Sequence, residues 1–121
     1  MTHSDEEFVG SVQNGQDYSE HRFVRCTFRD MTMEGASFDD AFLQECTLTD
    51  VDLYWARFFR ARFAKCALVR VDFRGANLAK CVFVNCVLTE CNFGQDNLGG
   101  ATDVGAVEWV QTQIVSCLGL G

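Results

Sequence analysis

The sequence predicts a solenoid, a chain wound into stacked coils that bends once every five residues. From Phe23 to Leu98 every fifth residue is large and apolar: Phe23, Phe28, Met33, Phe38, Leu43, Leu48, Leu53, Phe58, Phe63, Leu68, Phe73, Leu78, Phe83, Leu88, Phe93 and Leu98. The position two before each of these is small or apolar in fourteen of sixteen cases, His21 and Asp96 being the exceptions. A fixed internal period takes precedence over local propensity. On an α-helix, steps of five rotate the side chain by roughly 140°, so the large residues share no face. On a straight strand, alternate members point to opposite sides. A chain that turns once per pentad keeps all of them pointing at the axis, with the small residue beside the large one.

The residue between the two inward positions is often short and polar: Thr27, Ser37, Thr47, Asp52, Asp72, Asn77, Asn92 and Asn97. Such side chains bond nearby backbone groups and stabilise turns. In this the sequence resembles the pentapeptide-repeat proteins, whose pattern is Ala, then Asp or Asn, then Leu or Phe, then two variable residues. Ala76-Asn77-Leu78-Ala79-Lys80 matches in full; Val51-Asp52-Leu53, Ala36-Ser37-Phe38 and Cys91-Asn92-Phe93 match closely. The resemblance implies an all-β fold, a right-handed quadrilateral parallel β-helix with twenty residues per coil. Sixteen pentads then make about four coils stacked at roughly 4.8 Å, a rod roughly 20 Å long. Residues 18–100 are expected to form this rod, preceded by an acidic leader and cap, 1–17, and followed by a segment, 101–121, that leaves the period.

A chain of 121 residues is one domain on length. No apolar run approaches the ~18 residues of a membrane span, and the first residues are acidic where a secretory signal is basic. A cytoplasmic protein with no membrane contact is expected. A net charge of -7 argues against direct nucleic-acid binding, which normally leaves a basic footprint. Of the seven cysteines, six hold the small inward position, and Cys26, Cys46, Cys66 and Cys86 recur every twenty residues. In a four-sided coil they stack as small buried hydrophobes. The alternatives are disulfides along that ladder, or a metal site from Cys81, Cys86 and Cys91, whose spacing is not that of a zinc site. His3 and His21 are the only histidines, there is no phosphate-binding glycine loop, and a filled rod has no concave pocket. The expectation is a protein that is not an enzyme and has no cofactor or metal.

Charge is banded along the chain. Residues 1–56 hold twelve acids against three bases; residues 57–80 hold seven bases against Asp72; residues 81–121 hold four acids and no base. Coil order is sequence order, so a basic belt lies between two acidic bands. One reading is a solvated surface with ion pairs between coils, such as Asp50 with Arg70; the other is a docking surface. In the same region Phe42, Tyr54, Trp55 and Phe59 fall at outward positions, accompanied by Arg57, Arg60 and Arg62. Aromatics with Arg are the composition of interface hot spots, and Trp55 is the foremost candidate. The same rings could instead lie flat under Arg through cation–π contact.

In 101–121, Asp103 can N-cap a short α-helix with Val104, Val107, Val110, Ile114 and Cys117 or Leu118 on one face. Gly119 suits its αL end, and Leu120 could fold back on Val115. The resemblance extends to the quinolone-resistance (Qnr-type) branch, whose members end in a short helix and apolar tail that join two rods; it implies a homodimer through Val107, Trp109, Val110, Ile114, Leu118 and Leu120. Three functions follow. The first is a non-catalytic scaffold or regulator docking a protein partner through Phe42, Tyr54, Trp55, Arg57, Phe59, Arg60 and Arg62. The second, implied by the Qnr-type resemblance, is a DNA-mimicking modulator of DNA gyrase or topoisomerase IV. The third is a self-associating structural rod.

Overall fold

The computed structural model describes residues 1–120, and these form a four-sided parallel β-solenoid. The strands in chain order are β1 (Thr2–Ser4), β2 (Glu7–Val9), β3 (Arg22–Val24), β4 (Thr27–Arg29), β5 (Phe42–Gln44) and β6 (Thr47–Thr49). They continue with β7 (Arg62–Ala64), β8 (Ala67–Val69), β9 (Val82–Val84), β10 (Val87–Thr89), β11 (Glu108–Val110) and β12 (Gln113–Val115). Odd-numbered strands stack in order as one six-stranded parallel sheet and even-numbered strands as a second. The third side is a ladder of single bridges, Val12 to Thr32 to Asp52 to Asp72 to Asn92, and the fourth runs Asp17 to Ser37 to Arg57 to Asn77.

The sequence distinguishes these two kinds of side. On the bridge sides the second residue of the pentad is usually Asp or Asn, and its side chain accepts the N–H two residues on. Asp52 does so for Tyr54 (3.0 Å), Asp72 for Arg74 (3.0 Å), Asn77 for Ala79 (3.0 Å) and Asn92 for Gly94 (2.9 Å). The turn this favours leaves one ladder residue per coil. On the strand sides the second residue is Thr, Val, Arg, Ala, Phe, Glu or Gln, which makes no such bond, and three residues remain extended.

The fifth residue of the pentad makes the corner. Along the coils it has positive φ, from Asp5 (55°) through Asp50 (53°) to Glu90 (55°). Gly, Asp and Asn tolerate this region best, and they fill nine of the eighteen corners between residues 5 and 90.

The buried core runs without a break from Phe23 to Phe93, the expected stack of about four coils. Phenylalanines one coil apart stack face to face: Phe38 on Phe58 and Phe73 on Phe93 at 4.9 Å, Phe63 on Phe83 at 4.7 Å. The ladder cysteines are free thiols, and each donates its S–H to a carbonyl of the previous coil. Cys46 reaches Phe23 O, Cys66 reaches Leu43 O and Cys86 reaches Phe63 O, all at 3.3 Å. Thr112 continues the column and its hydroxyl makes the same bond to Phe83 O at 3.1 Å. The slot therefore suits a small residue with a donor. Burial pushes the Cys91 thiol up to about 12, where it is inert as a nucleophile.

The structure departs from the sequence reading at both ends. The segment 1–17 is no loose leader. β1 and β2 pair in register with β3 and β4, so the solenoid begins one coil earlier. Gln13 obscures this in the sequence, yet it occupies an inward slot at the end of the stack beside Tyr18, whose hydroxyl it accepts. At the other end no helix forms in the described part of 101–121. β11 pairs with β9 and β12 with β10, again in parallel. The open edges of β9 and β10 give these β-branched and aromatic residues a full ladder of backbone bonds, which an isolated short helix cannot match. The apolar spacing from Val104 to Leu118 fits a helix only by coincidence. Asp103 accepts Gly105 N (2.9 Å) as a turn residue, and Gly119, with φ 86°, follows the Leu118 bridge to Asn92 and lies against the Phe93 backbone.

The repeat is also interrupted. Partners lie twenty residues apart as far as Asp72 and Asn92, and twenty-six apart from Asn77 and Asp103 onward, as in Phe83 with Trp109. The six extra residues, 95–100, form a loop. Asp96 lies in this loop instead of an inward slot, and Leu98 is 85% exposed instead of buried.

Candidate docking surface

The residues that suggest a partner surface separate into two groups. Tyr54 and Trp55 sit at the corner between the two bridge sides. Trp55 is a corner residue with φ 60°, unusual for so bulky a side chain. Its column neighbours are Gly35 and Gly75, and the indole lies across Gly75, where a β-carbon would stand 2.4 Å from Trp55 Cδ1. From there Trp55 Nε1 donates to Asp96 Oδ2 at 2.8 Å. Asp96 Oδ1 accepts the N–H groups of Leu98 (2.9 Å) and Gly100 (2.6 Å), closing the loop on itself. The Trp55 indole and these N–H groups hold the Asp96 carboxyl below its ordinary pKa. Tyr54, 7% exposed, accepts Asn97 N at its hydroxyl (2.6 Å) beneath the same loop. Thr102 then re-enters the small inward slot, bonding Phe73 O and Gly94 O, both at 2.9 Å.

Of the aromatics expected to face outward, Tyr54 alone is buried. Tyr54 is covered by the loop, and Trp55, although 47% exposed, spends its polar edge on Asp96. Trp55 positions a loop. The loop was missed because Leu98 happens to continue the five-residue count; the signal was Asp96 in a small-residue slot with Gly94, Gly99 and Gly100 around it.

The second group lies around the other corner of that side. Phe59 is half-buried, with the Arg60 guanidinium 5.0 Å from its centroid and Lys80 Nζ 5.9 Å away. Asp39 organises this corner, accepting Phe59 N at 2.9 Å and pairing with Arg57 at 3.0 Å. On the adjoining sheet, half-buried Phe42 lies between Arg22 (5.4 Å) and Arg62 (5.7 Å), its ladder neighbours on either side. The flat cation–π arrangement anticipated as the alternative is therefore present, yet the cations remain exposed at its outer surface.

At two other corners the cations are paired between coils. Arg70 binds Asp50 at 2.6 Å and reaches Glu90 at 3.9 Å, and Arg25 binds Asp5 at 2.8 Å. The bond to Arg70 lowers the Asp50 pKa, and that to Arg25 lowers the pKa of Asp5. At the C-terminal end, Trp109 stacks on Phe83 at 4.7 Å, and Val107 and Leu120 pack partly on the core. Val110, Ile114 and Leu118 are exposed, Leu118 at 64%. Among the described residues there is no cavity and no cluster of metal-ligating side chains.

A filled four-sided rod built on five-residue repeats defines the class: this is a pentapeptide-repeat solenoid. Residues 3–93 match the family model described as the SV2A/B/C luminal domain, and the chain belongs to that family. No curated protein matches it in sequence. Among solved structures it is similar to full-length QnrB1, a plasmid-mediated fluoroquinolone resistance protein. The TM-score is 0.58 and the identity 13%, over 92% of this chain and 71% of QnrB1. A trypsin-treated R167E form of QnrB1 gives 0.57 and 16%, over 97% and 69%. HetL, a pentapeptide-repeat protein of heterocyst differentiation regulation from the cyanobacterium Nostoc sp. strain PCC 7120, gives 0.49 and 20%. The chain spans 88% of itself and 49% of HetL, about half of that protein. At these identities the likeness is one of fold.

Proposed function

We propose that this chain is a protein-binding solenoid, a scaffold or regulator that docks a partner through the side carrying Arg57, Phe59, Arg60, Phe42 and Arg62. The observation that carries this reading is the pair of half-buried rings, Phe42 and Phe59, each with exposed cations over it on a rigid backbone. Such rings supply contact area at low entropic cost, and Arg supplies directional donors. The test is affinity capture followed by reconstitution with the purified partner. Binding should fall at least tenfold with Phe59→Ala and stay within twofold with Trp55→Phe, which keeps the loop's apolar cover. Undiminished binding by Phe59→Ala would refute the assignment.

The second reading is a DNA-mimicking modulator of DNA gyrase or topoisomerase IV, favoured by the net charge of -7 and the fold likeness to QnrB1. Arg70 between Asp50 and Glu90 weighs against it, because it breaks the acidic column such mimicry uses. A homodimer through the exposed Val110, Ile114 and Leu118 belongs to the same proposal, as does a reducing, cytoplasmic setting, supported by seven free thiols.

A further inference from the structure

Of the corner cations of this rod, Arg25 and Arg70 are ion-paired between coils, and the two that follow one another in a single column, Arg60 and Lys80, are not. The column Asp5, Arg25, Glu45, Lys65 alternates in sign, and Arg70 is flanked by Asp50 and Glu90. The column Glu20, Asp40, Arg60, Lys80 does not: its two bases are consecutive. Like charges one coil apart, roughly 4.8 Å between backbones, repel and cost stability. Arg60 has Asp40 as its other column neighbour, yet its guanidinium turns to the Phe59 ring. Among the described residues no carboxylate lies within ion-pair distance of Arg22, Arg60, Arg62 or Lys80. Four exposed cations thus share one corner and the adjoining sheet column, each within 6 Å of a phenylalanine centroid and none neutralised.

We infer that this corner binds a short acidic peptide segment of a partner protein, its carboxylates on Arg60, Lys80 and Arg62 and an apolar side chain against Phe59 or Phe42. This rests on the docking reading above and supplies its chemistry. Alternate side chains of an extended peptide are about 6.5–7 Å apart, a spacing that the long Arg and Lys side chains of neighbouring coils can meet. Arg forks match carboxylates bidentately. The rings keep the cations from collapsing onto protein carboxylates, so they are free to pair on arrival. The occupant is short because the corner column turns acidic on the N-terminal side of Arg60, at Asp40 and Glu20, and the sheet column turns acidic at its C-terminal end, at Glu108. A long polyanion such as nucleic acid would run into these.

The test is fluorescence anisotropy with a labelled eight-residue peptide of Asp, Glu and Leu, its Asn/Gln counterpart, and an eight-nucleotide single-stranded DNA. The acidic peptide should bind, weaken between 50 and 300 mM salt, and lose at least about tenfold with Arg60→Gln plus Lys80→Gln. Arg25→Gln, which removes an ion-paired cation elsewhere, should leave binding unchanged, and thermal melting should show each variant folded. No peptide binding, equal binding by the double variant, or tighter binding of the oligonucleotide overturns the inference. A partner whose binding needs Phe59 but ignores the double variant would leave the docking reading standing and refute this one.

Discussion

At the residue scale, Trp55 and Gly75 form a pair whose logic is steric. A tryptophan at φ 60° is strained, and such strain persists only where the surroundings hold it. Here the holding partners are Asp96 at the indole N–H and the bare backbone of Gly75 beneath the ring. Gly75 itself has φ 71°, so a β-carbon there faces both backbone strain and a clash. Gly75→Ala should destabilise the protein by ~1–3 kcal/mol. It should also displace the indole into water. In a Trp109→Phe background the emission of Trp55 would shift to the red, and its quenching by iodide would rise. An unchanged spectrum with an unchanged melting temperature would mean that the ring has no fixed seat over Gly75. The same bond sets a pH limit. The Asp96 carboxyl is depressed in the folded state, so its contribution is present above the ordinary carboxylate range and is lost as pH falls through the lowered value.

At the element scale, the coils were legible and the loop was not, for one physical reason. A buried coil position demands a residue type, so Phe23 to Phe93 declare themselves by period. A surface loop demands only turn chemistry, and Leu98 satisfied the count without being buried. The terminal strands failed differently. β12 shows apolar residues at spacings open to both helix and strand, and only the free edge of β10 decides between them. Of the docking candidates, the Phe42 and Phe59 surface was readable from outward aromatics; the diversion of Trp55 was not, because its partner is forty-one residues away. If 95–100 is an insertion between intact coils, removing it restores the twenty-residue period. Deleting these six residues should keep the β-sheet circular dichroism and leave the melting temperature within a few degrees, since loop length carries little free energy. It should also free the Trp55 indole. Loss of the fold would show that the loop is a nucleus for the last coils.

At the scale of the whole molecule, the strands of each coil touch only those of the coil before and the coil after it, and the 95–100 loop reaches back past one coil to Tyr54 and Trp55. Stability in such a rod is a sum of coil terms and nearest-neighbour interfaces. Interior coils have two neighbours and end coils one, so opening starts at the ends. The ends also differ in kind. The first coil closes on His3, Gln13 and Tyr18, with His3 stacked on Phe23 at 4.6 Å and its Nε2 3.2 Å from His21 Nδ1. The last strands leave Val110, Ile114 and Leu118 exposed beside unpaired backbone edges. Amide exchange should therefore be slowest in β5 to β8 and rise in steps toward both ends, with β11 and β12 fastest at low protein concentration. If two rods join through the apolar end, protection of β11 and β12 alone should increase with concentration, while β1 and β2 stay as they are. Hydrogen exchange followed by mass spectrometry at two concentrations a hundredfold apart separates these outcomes. Uniform exchange along the chain would mean that the solenoid opens as one cooperative unit, and concentration-independent exchange at β11 and β12 would remove the dimer.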